Sequence, residues 1–299
     1  VVLPDSATLF VDGRYTTQAR DQVDPAVVRT ASSIDTPLAR YLSSVAAGLT
    51  IGFDPWLHTQ AEAAALRKAA EETGFKLVPL PHNPIDRIWQ DRPLPPKGKV
   101  VQHPETLAGR SAAAKLEEMA ETMRAAGGTA AVLTDPSSIA WVFNIRGQDV
   151  PHTPLPLSFA LLKSDGRPTL FIDPDKLDGS VRDYLSALAD LAAPDAFDVA
   201  LRGFRAGERV LVDPALAAER IVELIEEGGA SVVLKPDPAR LPRARKNDIE
   251  IAGSRAAHLR DGAAMVRFLH WLDLQPGGTV TEIDAARRLE AFRAETAAN

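Results

Sequence analysis

Residues 7–14 read ATLFVDGR and residues 168–175 read PTLFIDPD; residues 51–57 read IGFDPWL and residues 210–216 read VLVDPAL. Asp12 and Asp173 are 161 positions apart and Asp54 and Asp213 are 159 apart, so two motifs recur in one order at nearly one interval. Each Asp-Pro is followed by a helix-period segment (56–73 and 215–228), a glycine, and an apolar strand, KLVPLP at 76–81 or SVVLKP at 231–236. Gly74 and Gly229 are only 155 apart, so the second helix is four residues shorter. That is about one turn at roughly 3.6 residues per turn, a deletion that keeps the buried stripe. Thr8–Pro81 and Thr169–Pro236 are therefore two copies of one α/β unit.

The repeat also measures what the copies do not share. Forty residues separate Thr129 from Thr169, whereas seven precede Thr8. About thirty residues of the second unit thus have no counterpart in the first. The chain opens on Val1 and its three methionines are internal. The expectation is a fragment whose first sheet lacks one or more strands of the second.

A length of 299 residues allows two domains or slightly more, and 45% hydrophobic with 25% charged residues is ordinary for globular domains. The net charge of −6, with both signs interspersed, offers no basic stripe and argues against nucleic-acid binding. No apolar run approaches the roughly 20 residues that cross a bilayer, which argues against a membrane span. The opening VVLPDS is too short and polar for a signal peptide. The absence of cysteine excludes disulfides and thiolate metal sites and fits a cytoplasmic location.

Along the chain, VVL and ATLFVD form a hairpin around Pro4-Asp5-Ser6, matched by FALLKSDGRPTLFID at 159–173 with its Asp165-Gly166 turn. Asp54 and Asp213, each before proline, are expected as helix N-caps. Residues 79–99 are too proline-rich for a helix and read as an ordered strap anchored by Ile88 and Trp89. One amphipathic helix is expected over 106–126, with Leu107, Ala114, Leu116, Met119 and Met123 near one stripe. The segment TAAVLT at 129–134 is a strand, and SIAWVFNIRG at 138–147 fits helix or strand. A long helix over 247–274, capped at Asn247 or Asp248 with Glu250 following, precedes another from 281 to about Ala297. Their Ile251, Leu259, Val266 and Leu269 need a partner, either the second unit or a third domain.

No phosphate-binding, dinucleotide-binding, zincin or nucleophile-elbow motif is present. His258 and Asp261 share a helix face, a spacing that reads as a surface contact rather than a metal site. Two clusters could bind a ligand. Asp12-Gly13-Arg14-Tyr15 ends a strand, where loops of α/β units meet ligands; its plain alternative is an Asp12–Arg14 pair closing the strand. Asn144, Arg146 and Asp149 leave an apolar stretch together, and their plain alternative is a loop fastened by an Arg146–Asp149 pair.

IAWVFNIRGQDVPHTP at 139–154 resembles the corresponding segment of Xaa-Pro aminopeptidases (aminopeptidase P) of the long, three-domain form. FVDGRYTTQARDQVD at 10–24, IGFDPWLHT at 51–59, IDRIWQDRPLPP at 85–96, LAGRSAAAKLEEM at 107–119 and RARKNDIEIAGSRAAHLRDGAAMVRFLHWL at 243–272 follow in that family's order. The resemblance implies an α/β chain of two tandem creatinase-like N-terminal domains, each a mixed sheet flanked by helices. The first helices of a pita-bread α+β catalytic domain then follow. It divides the chain at 1–97, 98–241 and 242–299. It further implies a homodimer acting on proline-containing peptides and two divalent metal ions, usually manganese, held by two Asp, one His and two Glu. None of those five ligands can be assigned to a residue here, so the chain alone is expected to be inactive and metal-free. The loop at Asn144, Arg146 and Asp149 matches a segment that overhangs the active-site mouth in relatives. Arg146 and Asp149 are thus candidate rim residues, with Asp12 and Arg14 next. A creatinase- or prolidase-type hydrolase and a non-catalytic peptide-binding scaffold are the alternatives.

Overall fold

The computed structural model describes residues 1–296; the expected helix end at Ala297 lies outside them. The first unit contributes β1 (Val2–Leu3), β2 (Ser6–Val11), α1 (Thr16–Gln22), β3 (Arg29–Ser32) and α2 (Leu38–Val45). It continues through β4 (Thr50–Phe53), α3 (Gln60–Thr73), β5 (Lys76–Pro79) and α4 (Pro84–Ile88). The second contributes β6 (Val101–Gln102), α5 (Glu105–Ala108), α6 (Ala112–Ala125), β7 (Ala130–Leu133), α7 (Pro136–Val142) and β8 (Ile145–Arg146). These lead to β9 (Phe159–Lys163), β10 (Thr169–Phe171), α8 (Gly179–Leu188), β11 (Asp190–Ala192) and α9 (Phe197–Arg202). The unit closes with β12 (Arg209–Val212), α10 (Glu219–Glu227), β13 (Ser231–Leu234) and α11 (Arg240–Ala244), and α12 (Asp248–Asp273) and α13 (Glu282–Thr296) follow.

The repeat is visible in the strand registers. Leu9 faces Thr30 in the parallel β2–β3 pair, and Leu170 faces Leu191 in the parallel β10–β11 pair. The second sheet runs β11-β10-β9-β7-β12-β13, whereas the first unit has two separate pieces, β1-β2-β3 and β4-β5. Within this sheet the strand without a counterpart is the central β7, which lies antiparallel to β9 and parallel to β12. All four of its side chains are buried. Ala131 and Leu133 enter one core and Ala130 and Val132 the other, the period-2 alternation of a strand covered on both faces. Where β7 is missing, Val2 is 84% exposed, while Leu162, at the matching position of β9, is 1% exposed.

The two units meet across a local two-fold relation. Gln60 N donates to Ala217 O and Glu219 N to His58 O, both at 2.9 Å. Ala61 N donates to Pro214 O at 2.9 Å and Arg220 N to Pro55 O at 3.0 Å. Every partner in one bond is 159 positions from its counterpart in the other, so the residues just after the two Asp-Pro motifs bind each other. Arg67 adds an ion pair to the buried Glu219.

Several local expectations are corrected. Asp54 and Asp213 do begin the same element, but it is a turn, with Leu57 N and Leu216 N returning to their carbonyls. The helix α3 starts later, behind Thr59, whose hydroxyl accepts from Glu62 N in a capping box. The helix expected over 106–126 is broken. Gly109 takes φ +69 after α5, and Ser111 caps a new helix, α6. Leu107 and Ala114 consequently face solvent, while Met119 and Met123 are buried. Ile88 and Trp89 do not anchor the strap, being 73% and 47% exposed. Its C-terminal end is held instead by Lys97 on Asp175 at 2.6 Å and by the buried Val100. The segment left open at 138–147 is mainly helix, α7, closing into β8. Helices α12 and α13 pack on each other through Ala264 and Phe292, leaving Leu259, Val266 and Leu269 exposed. Among the described residues no helix is long and apolar enough to cross a membrane.

Candidate functional site

The loop that begins at Asn144 is built by the end of α7. Asp135 caps that helix through Ser137 N at 2.8 Å, Pro136 fixes its first turn, and Ile139, Val142 and Phe143 are fully buried. Asn144 then takes φ +48, a left-handed conformation that asparagine tolerates better than most residues. This turn ends the helix and swings Ile145 and Arg146 into β8, paired antiparallel with β6. Gly147 follows because a Cβ there would lie 2.5 Å from Pro156 N.

Each polar residue of the loop has a distinct position. Asn144 is 3% exposed, and its Nδ2 donates to Arg110 O at 2.8 Å. Asp149 is a buried tie: it accepts from Gly98 N at 2.9 Å, Leu157 N at 2.6 Å and Lys176 Nζ at 2.6 Å. Asn144 and Asp149 are thus engaged within the protein, and among the described residues the Arg146–Asp149 pair of the plain alternative is not formed. Arg146 differs from both. It is half-buried, and among the described residues its guanidinium donates only to the carbonyls of Ile145 at 2.8 Å and Ala140 at 3.4 Å. Burial pulls its pKa down, and the nearby Glu250 partly opposes that. Half-buried His103, whose N–H donates to Asn144 O at 2.7 Å, has a pKa lowered by burial and then by the charges of Arg146 and Lys115. An arginine partly out of water with no carboxylate bonded to it is poised to accept an anion or a carbonyl.

Asp12 and Arg14 form an exposed pair at the end of β2, with Arg14 Nη2 2.7 Å from Asp12 Oδ2 and the Arg14 side chain 83% exposed. The hydrogen bond from Arg14 holds the Asp12 carboxyl below its ordinary range. Among the described residues no hydrogen bond joins this cluster to the Arg146 loop. His258 bonds back to Ser254 O, and Asp261 is taken by Arg293 at 2.6 Å. Among the described residues no three His, Cys, Asp or Glu side chains are placed to hold a metal. The residues present therefore do not fit a two-metal centre.

Lys115, Trp141, Lys176 and Glu250 surround or brace this loop; the sequence marked Glu250 only as part of the α12 cap and none of the four as a contact of the loop. One signal was available for Lys115, since it lies four residues before Met119 and eight before Met123, on the buried stripe of α6. Lys176 carried no such signal, because it lies within a three-residue 3-10 turn, Pro174–Lys176, rather than in a periodic segment.

Two units of this fold, one with a braced loop ending in a free arginine, define the class of the chain. The Creatinase/Prolidase N-terminal domain profile matches residues 1–88, and a second profile of that description matches residues 91–250. The chain belongs to the creatinase/prolidase N-terminal domain family. It is 32% identical to a probable Xaa-Pro aminopeptidase P of Aspergillus flavus over 99% of this chain and 47% of the relative. It is 31% identical to aminopeptidase P2 of Arabidopsis thaliana over 98% of this chain and 46% of that protein. Among solved structures, the X-prolyl aminopeptidase of Caenorhabditis elegans, described as a cytosolic enzyme with a di-nuclear active site, superposes with TM-score 0.87 at 29% identity. That match covers 98% of this chain and 49% of the nematode chain. The chain thus spans about half the length of the relatives it matches.

Proposed function

We propose that this chain is the N-terminal, two-unit portion of a metal-dependent aminopeptidase that removes the first residue from peptides with proline second. The observation that carries the reading is the match to the nematode X-prolyl aminopeptidase, which extends over both units and the helices after them. In this reading the chain divides at 1–97, 98–241 and 242–299, the last segment opening a catalytic domain. That domain supplies a pair of divalent ions, manganese by preference. The intact protein is a cytoplasmic homodimer. Hydrolysis belongs to the metal-bearing part, and the two units described above shape its mouth.

Within that reading Arg146 is the donor that reaches substrate, giving a fixed fork to a peptide carbonyl or carboxylate. Asn144 and Asp149 hold the loop from beneath rather than touching the peptide. Asp12 and Arg14 are secondary rim candidates, and their mutual pairing leaves them less free than Arg146.

The test is to express the complete reading frame and follow release of the first residue from an Xaa-Pro peptide with and without manganese. Release with manganese, lost on chelation, supports the reading; a folded full-length protein without release favours the scaffold alternative. In the active protein Arg146→Ala should lower kcat/KM about tenfold or more, the scale of one charge-assisted hydrogen bond. Unchanged kcat/KM removes Arg146 from the rim.

A further inference from the structure

Lys115 is 1% exposed on the stripe of α6 that otherwise carries Ala112, Met119 and Met123. Among the described residues its ammonium has no acid partner. It donates to Trp141 O at 3.0 Å and to Asn144 Oδ1 at 2.6 Å, and it sits 4.3 Å from the centre of the Trp141 ring. A methionine would fill the same stripe without burying an amine, whose burial costs energy unless it is bonded. The cost is partly offset by what the ammonium holds. Trp141 O is one of the last carbonyls of α7, where positive charge is favoured. Asn144 is the left-handed residue that turns the chain toward Arg146.

The contacts continue outward. Trp141 Nε1 donates to Glu250 Oε1 at 3.3 Å, and Glu250 Oε2 accepts from Asn247 N at 3.0 Å in the cap of α12. Asn247 Nδ2 returns to Ala108 O at 2.9 Å, against Gly109, where a Cβ would be 2.4 Å from Asn247 Oδ1. One amine therefore touches both the turn that aims Arg146 and the indole that seats α12.

We propose that Lys115 is a positioning residue, an ammonium set beneath Trp141 that fixes the turn at Asn144, and with it Arg146, against the capped start of α12. The proposal rests on the reading of Arg146 as a rim donor. The charges facing the amine come from every side: Glu250 of α12 favours the ammonium, while Arg146 of β8, Arg110 before α6 and Lys246 before α12 oppose it. His103 after β6 is coupled to it as well, and Glu118 on its own helix is occupied by Arg110. Burial first, and then these charges, bring its pKa from 10.5 to about 8. A neutral amine can still donate two hydrogen bonds. Only the ammonium is attracted to the ring face, so deprotonation acts first on Trp141.

The test uses the 299-residue chain, its Trp141 indole resonance assigned with Trp141→Phe, and amide hydrogen exchange. In the unsubstituted protein the indole N–H should titrate with a midpoint near 8, and that titration should vanish in Lys115→Met. The same variant should exchange about tenfold faster at the amides of His103, Gly147 and Asn247, while the β12–β13 ladder keeps its protection. Lys115→Gln, which retains a donor without charge, should recover part of the protection but not the titration; it carries the comparison alone if Lys115→Met fails to fold. Unchanged exchange at these three amides, equal acceleration in the β12–β13 ladder, or a persisting indole titration would each overturn the proposal. Failure of the rim reading shows separately, as an unchanged kcat/KM for Arg146→Ala in the full-length protein.

Discussion

Replacing Asp149 with alanine strands two amide donors, Gly98 N and Leu157 N, and strips Lys176 Nζ of its counter-charge, leaving it on Leu157 O at 3.2 Å. Both members of the ion pair are withdrawn from solvent, the side chains of Asp149 and Lys176 being 0% and 5% exposed. Removing one partner of a buried pair costs about 3–5 kcal/mol, because the remaining charge stays buried. Each amide left without an acceptor adds about 1 kcal/mol or more. These effects share one site and do not add fully, so the expected loss is about 4–6 kcal/mol. That is a large fraction of the roughly 5–15 kcal/mol that keeps a typical protein folded. Asp149→Asn, which keeps the shape and one acceptor, should lose less. The double variant Asp149→Ala/Lys176→Met removes the stranded charge and should recover about 2 kcal/mol of the loss. Urea unfolding followed by circular dichroism measures all three. A loss below about 1 kcal/mol for Asp149→Ala would refute the reading of this carboxylate as an internal tie and reopen a role at the substrate.

Gly109→Ala should destabilise the chain by about 2 kcal/mol or more, since it forces a left-handed alanine against Asn247 Oδ1; calorimetry reads the shift, and a change within error would mean that the α12 cap is not seated there. Val2→Lys should alter stability by less than about 0.5 kcal/mol while Leu162→Lys prevents folding, because matching positions of the repeat are 84% and 1% exposed; equal effects in the urea midpoint would contradict the gap in the first sheet. Lys115 has a folded pKa of about 8 against an ordinary 10.5, so the unfolded chain binds the extra proton between those values. Stability should therefore rise from this group as pH increases through that window, by at most about 1.4 kcal/mol per pH unit. In Lys115→Met this contribution should be absent from the pH dependence of the urea midpoint; an identical slope in both proteins would show that the amine titrates elsewhere.

The paired motifs at Asp12 and Asp173, and at Asp54 and Asp213, were legible because strands, turns and helices are written in short stretches of side-chain alternation and backbone preference. The Asn247 cap was legible for the same reason: Asn247 and Glu250 are three residues apart and satisfy each other's backbone donors. Where competing local signals were weighed wrongly, the reading failed. The helix placed over 106–126 ignored Gly109 and Ser111, a stop and a start in adjacent turns. Ile88 and Trp89 read as anchors of the strap because apolar residues suggest burial, yet among the described residues nothing buries them.

By itself the sequence determined that the chain holds two α/β units and that Arg146 stands in a polar loop after an apolar segment. Only the tertiary structure decided that β7 is the central strand of the second sheet, and that the units meet through residues 159 positions apart around His58 and Ala217. It also decided that Asp149 is bound by Lys176, that Lys115 lies beneath Trp141, and that Arg146 bonds the carbonyls of Ile145 and Ala140 and, among the described residues, no acid. The division has one physical cause. Periodicity and caps act between residues a few positions apart, whereas burial of a charge and the choice of its partner depend on which distant surfaces exclude water from it.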